Sequence, residues 1–479
     1  MWRRGYSRLS WVNLEGKLFN NDNAARHIFY YKDSTLNQLS AGFASGLLRR
    51  RMRKLLYGLA FGATLCASVV AQSSPTPLTL AECIRLAESA PNSISVAEQE
   101  SRIADRDVTQ ARAGFLPQME IQNGFVYASP RLDDPSTFGF ISLNGIRQYT
   151  TLGTITQEFD TSGRLRAELQ RARANQQIKL ADIEIARRDL RHAVAIAYYR
   201  LLLTRHLVTV ISDALKENKS FEQRAELLFQ NGEAARADVV KASAQTAFLR
   251  QALTAAELEA TLANQELASF WTRRVNDPLT IADALEEPLP APENEIEADR
   301  PAPYLKRPEF SLFDAERNGF RADERRARSA LLPQLGFIFQ YGIDSTALRF
   351  HDRGYAAYFN VRVPVFDWFR ARGQMRQFHM RVEQVDTSRA ISERTFSREY
   401  QSALARVNQL FTQIAQTREQ VRLAEEDLNL SRVRYEGGEG AALDVVTAQN
   451  QLSQARNNYY TSVANYLNAR ADLEVASGK

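Results

Sequence analysis

The chain has 479 residues, 44% hydrophobic and 24% charged, which is enough for two or three ordinary domains. Its net charge of +5 is carried by the front: residues 1–71 hold 11 Lys and Arg but 3 Asp and Glu, leaving 50 basic against 53 acidic residues downstream. Charge therefore gives no reason to expect nucleic acid, and a single cysteine beyond that point, Cys83, excludes an intramolecular disulfide framework.

Residues 1–51 show no sustained periodicity. Met52-Arg53-Lys54 then leads into an apolar run over 55–70 and the segment Ala71-Gln72-Ser73-Ser74. A basic start, a short apolar stretch and a small residue before polar ones make a secretory signal. Residues 1–71 are read as an N-terminal extension with the signal at 52–71, cleaved after Ala71. Cys66 follows Leu65, where lipid attachment needs a small residue, so lipidation is not expected.

A first repeat is expected over residues 72–276. Ile94, Ala97, Ala104, Val108, Ala111 and Phe115 share one helical stripe within 80–115, and Pro117 ends it. The period then becomes two. Met119, Ile121, Phe125 and Tyr127 alternate with Gln118, Glu120, Gln122 and Gly124, and a second alternating run covers 147–159, giving a β-hairpin over 118–159. A long helix over about 165–228 carries Leu190, Val194, Ala197, Leu201, Val208, Ile211 and Leu215 on its seam. It folds back at a tip near 229–239 into a return helix over 238–270. Seven prolines over 277–308 mark an extended linker.

The second repeat, 309–479, follows the same plan: a helix, a β-hairpin over 334–366, a long helix over about 373–434, a tip near 435–445 and a return helix. Gly232, Glu233, Asp238, Val239 and Val240 of the first tip correspond to Gly438, Glu439, Asp444, Val445 and Val446 of the second. Leu116-Pro117-Gln118 recurs as Leu332-Pro333-Gln334, and Phe159-Asp160 as Phe366-Asp367. The chain is a duplication. Gly437, Gly438 and Gly440 stop the incoming arm, and Asp444 suits the positive end of the outgoing one.

An exported chain with one-face-apolar strands and helices of roughly 95 Å defines an α+β membrane protein. Its long antiparallel coiled-coil hairpins would build an α-barrel, and its strands, about ten residues each, fit a transmembrane β-barrel. Four strands are too few to close one, so a cyclic trimer contributing twelve is the smallest comfortable solution.

The residues also resemble the TolC-like outer-membrane efflux protein family. The signatures are the two Leu-Pro-Gln segments, Val363-Pro364-Val365-Phe366-Asp367, Arg307-Pro308-Glu309 and the tip around Tyr435. The resemblance implies a homotrimeric channel in the outer membrane that extends into the periplasm and docks on an adaptor protein and an inner-membrane pump. It assigns Tyr435 and Asp444 to the periplasmic gate, and the tips, with Gly232, Glu233, Asp238, Gly438 and Glu439, to the adaptor contact. Tyr435 is the nearest expected partner of Asp444 on the opposite arm. Thr447 stands where the best-studied relatives have a second aspartate, and Gly440 where they have a constricting arginine. Small-molecule efflux is the first reading. A conduit for exported proteins and a periplasmic coiled-coil scaffold are the alternatives.

Blander roles are open for several of these residues. Asp444 and Asp238 suit helix capping, Phe229 suits packing, and Tyr127, Tyr149, Tyr341 and Tyr355 suit a membrane girdle. Arg164, Arg166, Arg171, Arg173, Arg370, Arg372 and Arg376 read first as a solvated helix face and second as anchors for lipid headgroups. No enzyme site, cofactor or metal site is expected: His192 and His206 are some 20 Å apart along one helix, and no phosphate-cradling or nucleophile motif occurs.

Overall fold

The computed structural model describes residues 77–128, 147–291 and 302–479. The expected extension and signal, the tip of the first β-hairpin and residues 292–301 of the linker lie outside these. The stripe expected over 80–115 is two helices, α1 (Leu80–Ser89) and α2 (Ser93–Ala113). Pro91 breaks it, and Asn92 restarts it by accepting from the backbone N–H of Ile94 (2.8 Å) and of Ser95 (3.1 Å). Strands β1 (Gln118–Tyr127) and β2 (Arg147–Phe159) lead to α3 (Arg164–Gln230) and its return helix α4 (Arg236–Ser269). The second repeat runs through α5 (Pro308–Ser329), β3 (Gln334–Ser345), β4 (Arg353–Arg362), α6 (Arg370–Glu436) and α7 (Ala442–Ala476). Both long helices have 67 residues, about 100 Å of rise.

The two hairpins do not stand apart. β2 pairs antiparallel with β3, giving one four-stranded sheet in the order β1-β2-β3-β4. The register aligns Met119 with Ile155 and Phe339, and Phe337 with Phe359, so Val126, Leu152, Ile338 and Tyr358 fall on one face and most apolar residues of the four strands share the other. That face is uncovered: Met119, Ile121, Tyr355 and Phe359 are each 77% exposed or more. On the opposite face Gln148 (2.6 Å) and Thr150 (3.1 Å) donate to Asp344. The second hairpin is shorter than the expected 334–366. Pairing stops at Arg362, just before Pro364, which has no N–H to offer a ladder.

Below the sheet α3 is the hub, touching α1, α2, α4, α5 and α7. Val194, Tyr198, Leu201 and Leu202 of α3 pack with Leu267 of α4 and Val463 and Tyr466 of α7 in the largest apolar cluster. Tyr198 is burial-shifted upward in pKa, and its hydroxyl donates to Ala282 O at 2.7 Å. Val208 and Ile211, expected on the seam, are only half-buried, because the buried stripe passes through Val210 and Asn218 instead. Asn218, fully buried, donates to Ala242 O and to Thr246 Oγ1, both at 2.9 Å, and locks α3 against α4 in one register. The described part of the linker is extended as expected, but it is pinned. Ala282 N donates to Leu78 O (2.9 Å), Arg205 donates to Leu279 O (2.6 Å), and Leu285 is 2% exposed.

Arginine adds to the apolar cluster in holding the second repeat on the first. Arg307, 8% exposed, donates to Glu309 (3.0 Å) and Glu399 (2.7 Å) and lies 3.7 Å over the Phe396 ring. Arg188 of α3 donates to the same Glu309 at 2.8 Å. Burial alone would push the Glu309 carboxyl up; the hydrogen bonds from Arg307 and Arg188 hold it below the ordinary carboxylate range. Two of the arginines expected on a solvated face, Arg164 and Arg171, are struts, whereas Arg166 is solvated as expected, with 74% of its side chain exposed. Arg164 bridges Glu158 at the end of β2 and Glu168, Arg166 meets Asp160 (3.4 Å), and Arg171 meets Asp323 (3.4 Å). Arg171 reaches that site past Gly319, where a Cβ would come within 2.1 Å of its guanidinium.

Arg307→Ala should lower stability by on the order of 2 kcal/mol, since it removes one of the two arginines bonded to the half-buried Glu309 carboxylate; chemical denaturation at neutral pH measures it. The Glu309 contribution is present above the ordinary carboxylate range and fades as pH falls through its lowered pKa, so the gap between variant and parent should narrow in acid. Cys83 is fully buried and its thiol is raised to about 11. A maleimide at pH 8 should leave it unmodified in the native protein and label it fully in denaturant.

Candidate functional site: the hairpin tips

The two tips fold alike. In the first, Gly232 takes φ +79° and the N–H groups of Glu233 and Ala234 both donate to Leu228 O. In the second, Gly438 takes φ +76° and the N–H groups of Glu439 and Gly440 both donate to Arg434 O. This left-handed turn satisfies the last carbonyls of the incoming helix and needs glycine. Of the three glycines expected to act together, Gly437 is in ordinary helical geometry. Gly440 serves closeness: a Cβ there would lie 3.0 Å from Tyr435 N.

The candidate residues divide by environment. Gly232, Glu233, Gly438 and Glu439 are exposed at the turns. Asp444 is exposed, and its Oδ2 accepts from Ala441 N at 3.3 Å, the capping role. Thr447 is exposed, and its hydroxyl donates back to Leu443 O at 2.7 Å. Asp238, in the first turn of α4, is half-buried. Phe229, expected to pack, is 39% exposed, because the chain has already begun to turn.

Tyr435 departs most from expectation. It is 8% exposed, packed 5.2 Å from the Phe221 ring of the other repeat, and its hydroxyl has no hydrogen-bond partner among the described residues. Burial raises its phenol pKa, and the charge of Asp238 raises it further. Tyr435 shares one apolar cluster with Phe221 and Ala242 of the first repeat and with Ala442, Val445 and Val446 at the start of α7, so it packs between the two tips and makes no hydrogen bond to Asp444. Around it, Arg432 meets Glu217 (3.3 Å) and Arg224 meets Glu436 (3.4 Å), closing a charged cleft between the two hairpins.

One polar residue escaped the sequence reading. Gln449 of α7 is 6% exposed, with neither amide atom bonded among the described residues. Its place beside the seam residue Ala448 was the available signal. His192 and His206 stay apart as expected; each instead meets a carboxylate, Asp472 at 2.7 Å and Asp283 at 2.8 Å.

The sequence pattern of the outer membrane efflux protein family matches residues 83–273 and 305–479, taking in both repeats with their sheet strands and tips. The chain belongs to that family. It is an outer membrane efflux protein and not an enzyme. No curated protein sequence matches it at a significant level. Among solved structures it is similar to the CmeC outer membrane channel of Campylobacter jejuni, with a TM-score of 0.72 at 17% identity over 83% of this chain and 85% of that one. VceC of Vibrio cholerae gives 0.69 at 19% over 83% and 96%. The open state of the Neisseria gonorrhoeae MtrE channel gives 0.69 at 20% over 83% and 88%. Identities this low establish a shared fold. The mostly helical architecture with one four-stranded antiparallel sheet is that of these channels.

Because the Tyr435 hydroxyl is buried without a bond, Tyr435→Phe should raise the stability of this efflux protein by about 1 kcal/mol. Tyr435→Ala should cost about 3 kcal/mol through the cavity against Phe221. Thermal melts of the detergent-solubilised protein compare the two.

Proposed function

We propose that three copies of this chain, each exported by the signal over 52–71, form the exit duct of a tripartite efflux system. Twelve strands would close one barrel in the outer membrane, and the helical hairpins would line a conduit through the periplasm. The observation that carries this reading is the open edge of the protomer at two levels. β1 and β4 are each paired on one side only. The helical layer is open too: Val96 and Ile103 of α2 are 57% and 62% exposed, and Met380, Ile391 and Val433 of α6 are 51% exposed or more. In hydrocarbon an unpaired strand edge costs several kcal/mol per group, so neighbouring copies supply what the single chain lacks.

The tips would meet the helical hairpin of a periplasmic adaptor, which couples the duct to an inner-membrane pump. The small residues Gly232, Ala234, Gly438 and Gly440 allow close helix approach there. Asp444 would place three carboxylates around the threefold axis, and Tyr435, packed on Phe221, would help hold the two tips of each protomer together. Efflux of small molecules is the cargo class that fits a family of efflux proteins.

Crosslinking in mild detergent should give a threefold species; a protein that stays a soluble monomer overturns the reading. In planar bilayers Asp444→Ala should lower cation selectivity, since it removes the ring of charge. Asp238→Ala, on the other tip, should change neither conductance nor selectivity. Bulky replacements at both Gly232 and Gly438 should abolish export in cells and leave the trimer intact. Export that survives both takes the tips out of the mechanism.

A further inference from the structure

Away from the tips and the sheet, the fold assembles one imidazole and two carboxylates that sequence spacing does not connect. His206 lies on α3, whereas Asp283 and Glu286 lie in the segment between the repeats. One ligating atom from each of the three falls within 4.8 Å of the others. Donors bound to a single ion at about 2.0–2.2 Å lie within roughly 4.4 Å of one another, so side-chain rotation of a few tenths of an ångström is all that binding needs.

We propose that His206, Asp283 and Glu286 form a binding site for a divalent first-row transition-metal ion of the zinc class, with water in the remaining positions. The donor set selects that class. It contains no thiolate for a soft monovalent ion, and a nitrogen ligand distinguishes it from the all-oxygen shells that calcium and magnesium prefer.

Three features argue that the group is built rather than incidental. The His206 ring is stacked on Tyr460 of α7, with centroids 4.3 Å apart and planes 18° off parallel, which fixes its edge toward the carboxylates. The loop holding the two acids is anchored on both sides: Ala282 bonds to Tyr198 and Leu78, Leu285 is 2% exposed, and Asp283 Oδ1 accepts from Leu285 N at 3.1 Å. Finally, no lysine or arginine forms an ion pair with Asp283 or Glu286 among the described residues, whereas Glu259 and Glu266 of α4 both pair with Arg200. The hydrogen bond between His206 and Asp283 (2.8 Å) explains two members of the group. It leaves Glu286 with its charge facing the same point and nothing to balance it.

A bound ion would tie the segment between the repeats to α3 and, through the stacked ring, to α7. It would brace the middle of the helical layer, where a pinned loop otherwise depends on a few backbone hydrogen bonds.

The test uses the untagged full-length protein in detergent, stripped with chelator and titrated with Co2+ and then Zn2+. Wild type should bind one Co2+ per chain, show d–d absorption and release it to Zn2+. Zn2+ should also raise the melting temperature. Glu286→Gln should weaken Co2+ binding at least tenfold, and His206→Ala should abolish the absorption. His192→Ala, which removes the other carboxylate-paired histidine of α3, should change nothing. Glu286 is exposed and has no ion pair, so its variant folds whatever the proposal's fate. Unsaturable Co2+ uptake, wild-type affinity in Glu286→Gln, or an equal loss in His192→Ala each overturns the site.

Discussion

Backbone satisfaction in hydrocarbon is the constraint on which the rest of this molecule depends. Where no water reaches, each N–H and C=O must find a protein partner, and a sheet can meet that demand only by closing. The chain brings four strands, joined through β2 and β3 into one sheet with an apolar face turned outward. That arrangement would be an aggregation hazard in water. In the closed barrel proposed above it is half of a solution, and the exposed Met119, Ile121, Tyr355 and Phe359 would be its lipid-facing side.

The sheet dictates how the helices must begin. Each strand pair ends in an aspartate that receives the first N–H groups of a long helix: Asp160 accepts from Leu165 and Arg166, and Asp367 accepts from Ala371. The joints are otherwise unequal. In the first, Gly163 takes the left-handed turn and Arg164 welds β2 to α3 through Glu158. In the second, Trp368 and Phe369 both adopt positive φ, which costs of order 1 kcal/mol or more for each residue with a side chain. Phe366, Trp368 and Phe369 cluster there with their rings exposed. A duplicated sequence has thus kept the geometry of the joint while changing what holds it.

Below the joints, packing combines two kinds of specificity. Apolar seams set the direction of the helices but tolerate sliding by a heptad. The buried Asn218 and Thr246 pair and the Arg307, Glu309 and Arg188 group do not, because a shift would leave buried polar groups unpaired. The tips inherit their register from these contacts. Asn218 lies less than one turn from Phe221 along α3, so this lock fixes the level at which Phe221 meets Tyr435.

Much of this was legible in the chain itself. The change of period from 3.5 to 2 and back, with Pro117, Pro333, Gly232 and Gly438 as punctuation, placed strands β1 and β2 at their observed bounds and the long helices within a few residues of theirs. The repeated Leu-Pro-Gln and tip segments declared the duplication, and with the strand length they pointed to a membrane channel. Those signals are local, since periodicity and turn chemistry act over a handful of residues. Contacts between distant segments carry no such signature. The pairing of β2 with β3, the strut role of Arg164 and Arg171, the packing of Tyr435 against Phe221 of the other repeat, and the meeting of His206 with Asp283 and Glu286 were decided by tertiary structure. Each depends on which face of one element is pressed against another far along the chain, and a heptad pattern fixes the existence of that face without naming its partner.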